Sequence, residues 1–436
     1  MRIGKELLVI LYVMIFLIND PQVVCASRMH GQSISDGLLE NANYKIDPFL
    51  GMDDSAFHIA YVLNGGMNHS ENLETLYAEN LPMTLEVPIR EGYNFAGWYT
   101  DSSYTHKVTE INRDNASNML LFAKWTKSID NYYNVEMYSY QTENMVSHNQ
   151  KKLSECTYDF LENLKIPGMP STREQDYLDN YIAAESQCLQ GMCFTPDYIL
   201  ITAYTETDKE PGSLMIFDRE SGEFLVTLEM KKDSHLGGIA YDGENIWVCH
   251  SSSNTLERIS YEYIRLIAEN AAGYCVDASA ISDEYELSNI PSCITCYGGR
   301  IWVATYSKFF ESKMVSYSYD VTTDRLVSLS SYNIPKRVQG IAFDRNGSVY
   351  LSTSLGRNNS SYLKVYDSLL ALTKNPGNPK VKIEMPPCSE EIVVAEENVY
   401  ILFESASEKY FEGTDGKGTS TSPIDQVLEV EVASIW

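Results

Sequence analysis

The sequence predicts an all-β-dominated chain, a small repeat module followed by a roughly five-bladed β-propeller. Three observations carry this. One hairpin phrase recurs five times: QGMCFTPDYILITAY from Gln190, GGIAYDGENIWVCHS from Gly237, SCITCYGGRIWVATY from Ser292, QGIAFDRNGSVYLSTS from Gln339 and EEIVVAEENVYILFE from Glu390. Each copy has an apolar anchor (Met192, Ile239, Ile294, Ile341, Ile392), then a turn rich in Asp, Gly, Asn and Glu, then a β-branched and aromatic run. That is the pattern of two strands joined by a tight turn. The anchors stand 47, 55, 47 and 51 residues apart, the length of a four-stranded blade. Outer hairpins follow in most units, over Ser213–Met230 and Met314–Ile334, with shorter counterparts at Tyr362 and Gln426. A near-constant period favours a propeller over a sandwich of similar strand content, and a closed ring leaves no long edge exposed. Residues 187–436 therefore read as the propeller, with YEYIRLIAENAAGYCVDASAI of the second unit as a helical insertion.

Taken in order, residues 1–26 read as a signal peptide. Arg2 and Lys5 precede an apolar run, Leu7–Ile18, that is too short to span a bilayer. Val24, Cys25 and Ala26 offer a cleavage site, and Val24 stands where a lipidation motif wants Gly or Ala. No second long apolar run follows, so no transmembrane helix is expected after signal removal. Residues 27–57 read as a linker.

Residues 58–126 form a compact β pattern: a strand, the turn Asn64-Gly65-Gly66, a break at Leu81-Pro82, then Leu85, Pro88, Gly92-Tyr93, Phe95, Gly97-Trp98-Tyr99 and the closing Ala123-Lys124-Trp125. With Leu63, these residues closely resemble the Listeria–Bacteroides repeat, the internalin-type B-repeat of bacterial surface proteins. The resemblance implies a β-grasp-like module in an extracellular protein. Its glycines free backbone angles at turns, and its tryptophans fill a core too small to do without them.

Residues 127–186 read as a connector with helices. Leu153, Tyr158, Phe160, Leu161 and Leu164 fall at roughly helical spacing before Pro167-Gly168, and Ser171 with Glu174 forms a capping box ahead of a second helix. The propeller half resembles secreted bacterial propellers of the quinoprotein or lactonase-like type at the level of fold, which does not give function.

A net charge of -27 argues against nucleic acid and against anionic membrane surfaces, both of which need clustered Lys and Arg. The 31 Tyr and five Trp suit carbohydrate or peptide contacts as well as β cores. No phosphate-binding loop, nucleophile elbow or metalloprotease motif appears, so no catalytic residue, cofactor or metal is assigned. Cys293 and Cys296 resemble half a metal motif, but an offset of three places them on opposite faces of a strand. Cys188 and Cys388 precede their anchors equivalently in the first and last units, which raises a ring-closing disulfide.

The candidate site is the axial funnel. Gln190, Gly237, Ser292, Gln339 and Glu390 should rim it, with His235 and Arg337 two positions earlier. Tyr204, Ser251, Tyr306, Ser354 and Glu404 end the second strands. Glu391 adjoins Glu390, and the two side chains should diverge; Glu404 and Lys409 should pair. The ligand-binding set is Gln190, His235, Gln339, Glu390, Glu391, Tyr204, Tyr306 and Glu404. The same mixture suits any wet channel as well as a polar ligand.

The reading is a secreted or cell-surface binding or adhesion protein with the propeller as recognition platform and no catalysis expected. Its partner would be an extracellular glycan, peptide or small polar ligand. The alternative is an extracellular hydrolase or lyase acting on a carbohydrate or lactone-like substrate in the funnel, which two carboxylates roughly 5 to 9 Å apart would favour. A purely structural surface protein is the third.

Overall fold

The computed structural model describes residues 56–90, 92–127, 135–136, 138–141, 150–172, 187–205, 210–232, 234–270, 275–277 and 281–436. The expected signal peptide, the linker before Ala56 and the helix after the Ser171 capping box lie outside these residues. The chain divides into two compact units between Ser128 and Ile129.

In the first unit the strand Phe57–Val62 runs parallel to Met119–Lys127 at the centre of a five-stranded sheet, flanked by Thr75–Leu76, Tyr93–Tyr99 and Lys107–Val108. Alternation puts Ile59, Tyr61, Trp98, Leu121 and Ala123 into one core. Both tryptophans also satisfy their polar edge: Trp98 Nε1 donates to the Glu86 carbonyl at 3.0 Å and Trp125 Nε1 to the Leu63 carbonyl at 2.8 Å. Gly66 is required for contact as well as for the turn, since a Cβ there would lie 2.4 Å from the Trp125 ring.

The second unit is an all-β five-bladed propeller. Its inner strands are Gln187–Phe194, Ile239–Tyr241, Cys293–Tyr297, Val338–Phe343 and Ser389–Ala395, each the first of a sheet of four or more strands. Each inner strand touches the next, and the last touches the first, so the ring is closed. Five hydrophobic clusters fill the gaps between neighbouring blades. Trp247 lies in the cluster between blades 2 and 3 and Trp302 in that between blades 3 and 4, both buried. The strand period of two gives each blade two apolar faces, and stacking buries both.

Two features depart from the sequence reading. Residues 150–166 form no α-helix. Gln150–Lys152 adds a parallel fifth strand to blade 4, and Tyr158–Phe160 is the antiparallel fourth strand of blade 5. Between them lies only a short 3-10 turn, Leu153–Glu155. The apolar spacing fits a helix, but Tyr158 and Phe160 flank an exposed Asp159, a strand alternation. The open edge of Leu428–Glu431 supplies the backbone partners. The expected insertion in blade 2 is the helix Tyr261–Asn270, followed by Cys275–Asp277 on the outer edge of blade 1 and by Asp283–Glu286, the fourth strand of blade 2.

Candidate functional site

The five residues immediately before the anchors decide the axis. They are Gly191, Gly238, Cys293, Gly340 and Glu391. Three glycines let the inner strands approach closely. A Cβ on Gly191 would meet the Gly238 backbone at 2.9 Å, and one on Gly340 would meet the Glu391 backbone at 2.8 Å. The Glu391 side chain fills the space so released, with its oxygens 3.0 Å and 2.8 Å from where Cβ atoms of Gly238 and Gly340 would sit. Its Oε1 accepts the backbone N–H of Ile341 at 3.1 Å and of Ile392 at 3.2 Å, while Oε2 is buried with no hydrogen-bond partner among the described residues, the Ile294 N–H acting on the carboxyl only electrostatically. Burial pushes this carboxyl well above the ordinary range, against the opposing pull of those N–H donors. Glu391 is thus fully enclosed on the axis and is not among the residues lining the funnel cavity.

Above it lies a cavity of about 340 Å³ to which every blade contributes. Blade 1 supplies Gln190, blade 3 Ser292 and Tyr306, blade 4 Gln339 and Gly356, and blade 5 Glu404 and Tyr410. Ser251 of blade 2 and His235 of the segment leading into it complete the wall. Of the sequence-derived set, Gln190, His235, Gln339, Tyr306 and Glu404 line this cavity directly. Tyr204 stands behind His235, ring centroids 4.2 Å apart, and accepts a hydrogen bond from Lys409. Glu390 is buried just behind the wall. Ser354 is turned away, accepting from the Ser361 hydroxyl at 3.1 Å.

The floor is one hydrogen-bonded chain. Gln339 Nε2 donates to Glu390 Oε1 at 2.9 Å, and Glu390 and Glu404 are bonded to each other. Gln190 Nε2 donates to Glu404 Oε2 at 3.0 Å, and the Tyr410 hydroxyl also bonds Glu404. Burial raises both carboxyls, Glu390 well above the ordinary value with Glu404 repelling its charge. Two buried carboxyls in contact repel each other's charge, which resists their ionising together. Lys409 forms no direct ion pair with Glu404, contrary to expectation; its ammonium is engaged by Tyr204 while its charge still acts on Glu404. The imidazole of His235 is lowered to about 4 by desolvation and by Lys409. It remains open to the funnel, so solvent weakens that shift, and on either value the ring is neutral near pH 7.

Tyr410 and Gly356 escaped the sequence reading. Both come from loops joining second to third strands, and the loop of blade 5, residues 404–427, is the longest of these. Arg357 fastens it: its guanidinium donates to Asp415 Oδ2 at 2.6 Å and to the Gly418 carbonyl, and covers the Tyr410 ring at 4.7 Å. The length of that insertion was the available signal.

The expected ring-closing disulfide is absent. Cys188 and Cys388 form no disulfide with each other; the first lies beside Tyr204 and the second beside Glu404 and Glu390. Cys293 packs between blades 3 and 4 while Cys296 packs between blades 2 and 3. Among the described residues no group of three or more His, Cys, Asp or Glu is placed to share a metal ion. A second polar chain runs between blades 1 and 2. Glu257 accepts from His250 Nε2 at 2.5 Å, Ser234 Oγ pairs with Nδ1, and the Ser282 hydroxyl donates to the other Glu257 oxygen. His250 and Glu257 are buried and do not line the cavity; the chain ties the segment entering blade 2 to that blade.

Residues 57–124 match the Listeria-Bacteroides repeat domain. No curated protein matches the chain. Among solved structures, glutaminyl cyclase of Myxococcus xanthus is similar at 11% identity and a TM-score of 0.37, over 58% of this chain and 93% of that one. A chain of a nidogen/laminin complex is similar at 13% and 0.33, over 50% and 73%. Hydrazine synthase of Kuenenia stuttgartiensis is similar at 10% and 0.31, over 50% and 56%. The propeller rests on its own strand order and ring closure. Among the described residues no helix is long and apolar enough to cross a membrane.

Proposed function

We propose that this is a secreted or cell-surface binding protein whose propeller recognises a small polar ligand in the funnel. The observation that carries the reading is convergence: a single cavity of about 340 Å³ takes polar side chains from all five blades. That volume is at the lower end of ligand pockets. The repeat match at 57–124 supports an extracellular setting for the same chain. The carboxyl pair favours binding over glycoside hydrolysis. Glycosidases separate their carboxyls by roughly 5 to 9 Å to admit the sugar and a water, whereas Glu390 and Glu404 bond each other.

The test is array binding with the full chain, across glycans, peptides and small metabolites. Gln339→Ala combined with Glu404→Gln should abolish capture of any ligand found. Asp367→Ala, which removes only an exposed ion pair with Lys380, should leave it intact. Undiminished capture by the double variant would move recognition to the repeat or to a blade edge.

A further inference from the structure

From the hydrogen-bonding state of the funnel we infer that its ligand is a neutral, hydroxyl-rich molecule, the chemistry of an uncharged saccharide. This rests on the reading of the funnel as a binding site and adds the class of molecule that enters it.

The argument begins with the charges, each of which is already engaged by the protein. Glu390 and Glu404 face each other, and each is held by a glutamine amide. Lys409 is engaged by Tyr204 and acts on Glu404. Arg357 is bound to Asp415. Arg337, near the rim, donates through Nε to the Lys308 carbonyl at 3.2 Å and does not line the cavity. Burial and mutual repulsion resist ionisation of the pair, and the Lys409 ammonium acts against the charge that Glu404 carries. A ligand ammonium or carboxylate would leave water for a cavity whose lining presents no lysine or arginine and one carboxylate, Glu404, already engaged by Gln190 and Glu390, and an uncompensated buried charge is strongly disfavoured.

The groups left for a ligand are of a different kind. His235, Ser251 and Tyr306 line the cavity, and among the described residues their side-chain polar atoms have no hydrogen-bond partner. Ser292 Oγ accepts from the Tyr306 backbone N–H at 3.0 Å, which leaves its own hydroxyl hydrogen to donate. A hydroxyl, a phenol and a neutral imidazole can each give or take a hydrogen bond. A wall of such two-way groups matches ligand groups that are themselves two-way, and hydroxyls are the common ones. Carboxylates only accept and ammonium groups only donate, so either would use these two-way groups in one sense only, whereas a ligand hydroxyl can use them in both. Tyr306 also brings an aromatic ring to the wall for the apolar face of a sugar.

The experiment is a thermal-shift and calorimetric panel on the full chain. Its members share one sugar ring: glucose, N-acetylglucosamine and their oligomers as neutral members, glucosamine as cation, glucuronate as anion. Free amino acids and polyamines serve as charged non-sugars. The expected result is binding confined to neutral members, with the charged derivative of any hit weaker by at least about tenfold, and loss of binding in Tyr306→Phe combined with Ser251→Ala. Tighter binding of a charged member, abolished by those changes, overturns the neutral class but keeps the funnel as the site. Hits indifferent to those changes and to Gln339→Ala with Glu404→Gln overturn the funnel itself. Failure of every neutral member to bind overturns the inference as well.

Discussion

Glu391 shows how one residue closes the axis of a narrow ring. Its carboxyl lies where Gly238 and Gly340 have no side chain and collects N–H groups from the anchors of blades 4 and 5. Glu391→Ala should strand those buried donors and cost on the order of 3–5 kcal/mol. Gly340→Ala should cost about 1 to 3 kcal/mol, because the neighbour it meets is backbone. Urea unfolding checks both, and losses under half a kilocalorie would place Glu391 off the axis. The pair beside it makes a pH prediction. Glu390 and Glu404 have raised folded-state values, so the folded protein keeps a proton that the unfolded chain releases. Their contribution is complete below the ordinary carboxyl value of about 4.3 and is lost as pH rises toward the raised values. In melting profiles the pair's share of the stability should therefore fall between about pH 5 and about pH 8, against a rise up to about pH 6.5 from His235, whose folded value is lowered to about 4. In Glu404→Gln, which cannot ionise, the slope should be shallower by up to about 1.4 kcal/mol per pH unit. Parallel profiles would show that Glu404 does not carry a raised folded-state value.

At the scale of elements, the ring is fastened by a strand far from it in sequence. Tyr158–Phe160 completes blade 5, and Gln150–Lys152 extends blade 4. A fragment of 187–436 contains every hairpin phrase but lacks both strands. It should unfold at lower urea than 129–436 and with a smaller denaturant dependence, as expected for a ring with an open last blade. Equal midpoints would make the strands ornamental. The inner hairpins were legible because a strand pair and its turn are local: anchor, turn residues and second run all fall within one phrase. The closing strand was not, because its partner, Leu428–Glu431, lies at the other end of the chain and leaves no mark on local spacing. The funnel divides the same way. Gln190, Gln339 and Glu404 follow from the register of the phrase, whereas Tyr410 sits in an insertion whose path depends on Arg357 and Asp415. The blade faces carry a check of that register. Trp247 and Trp302 are buried between blades, and either change to Ala should cost about 3 to 5 kcal/mol.

At the scale of the molecule, the two units have separate cores. The cluster around Trp98 and Leu121 draws only on the repeat, and the five inter-blade clusters draw only on residues from Val135 onward. Among the described residues no hydrophobic cluster is common to both units, and nothing in these cores obliges them to unfold together. Calorimetry of the full chain should show separate transitions that coincide with those of the isolated fragments 56–127 and 129–436. The repeat is small, so its melting temperature is a sensitive gauge: about 1 kcal/mol of stabilisation by the other unit would move it by roughly 4 °C or more. A shift of that size, or failure of 56–127 to fold alone, would mean that the units depend on each other. Coincident transitions would let the funnel and the repeat be assayed apart, which is the condition for assigning any captured ligand to one of them.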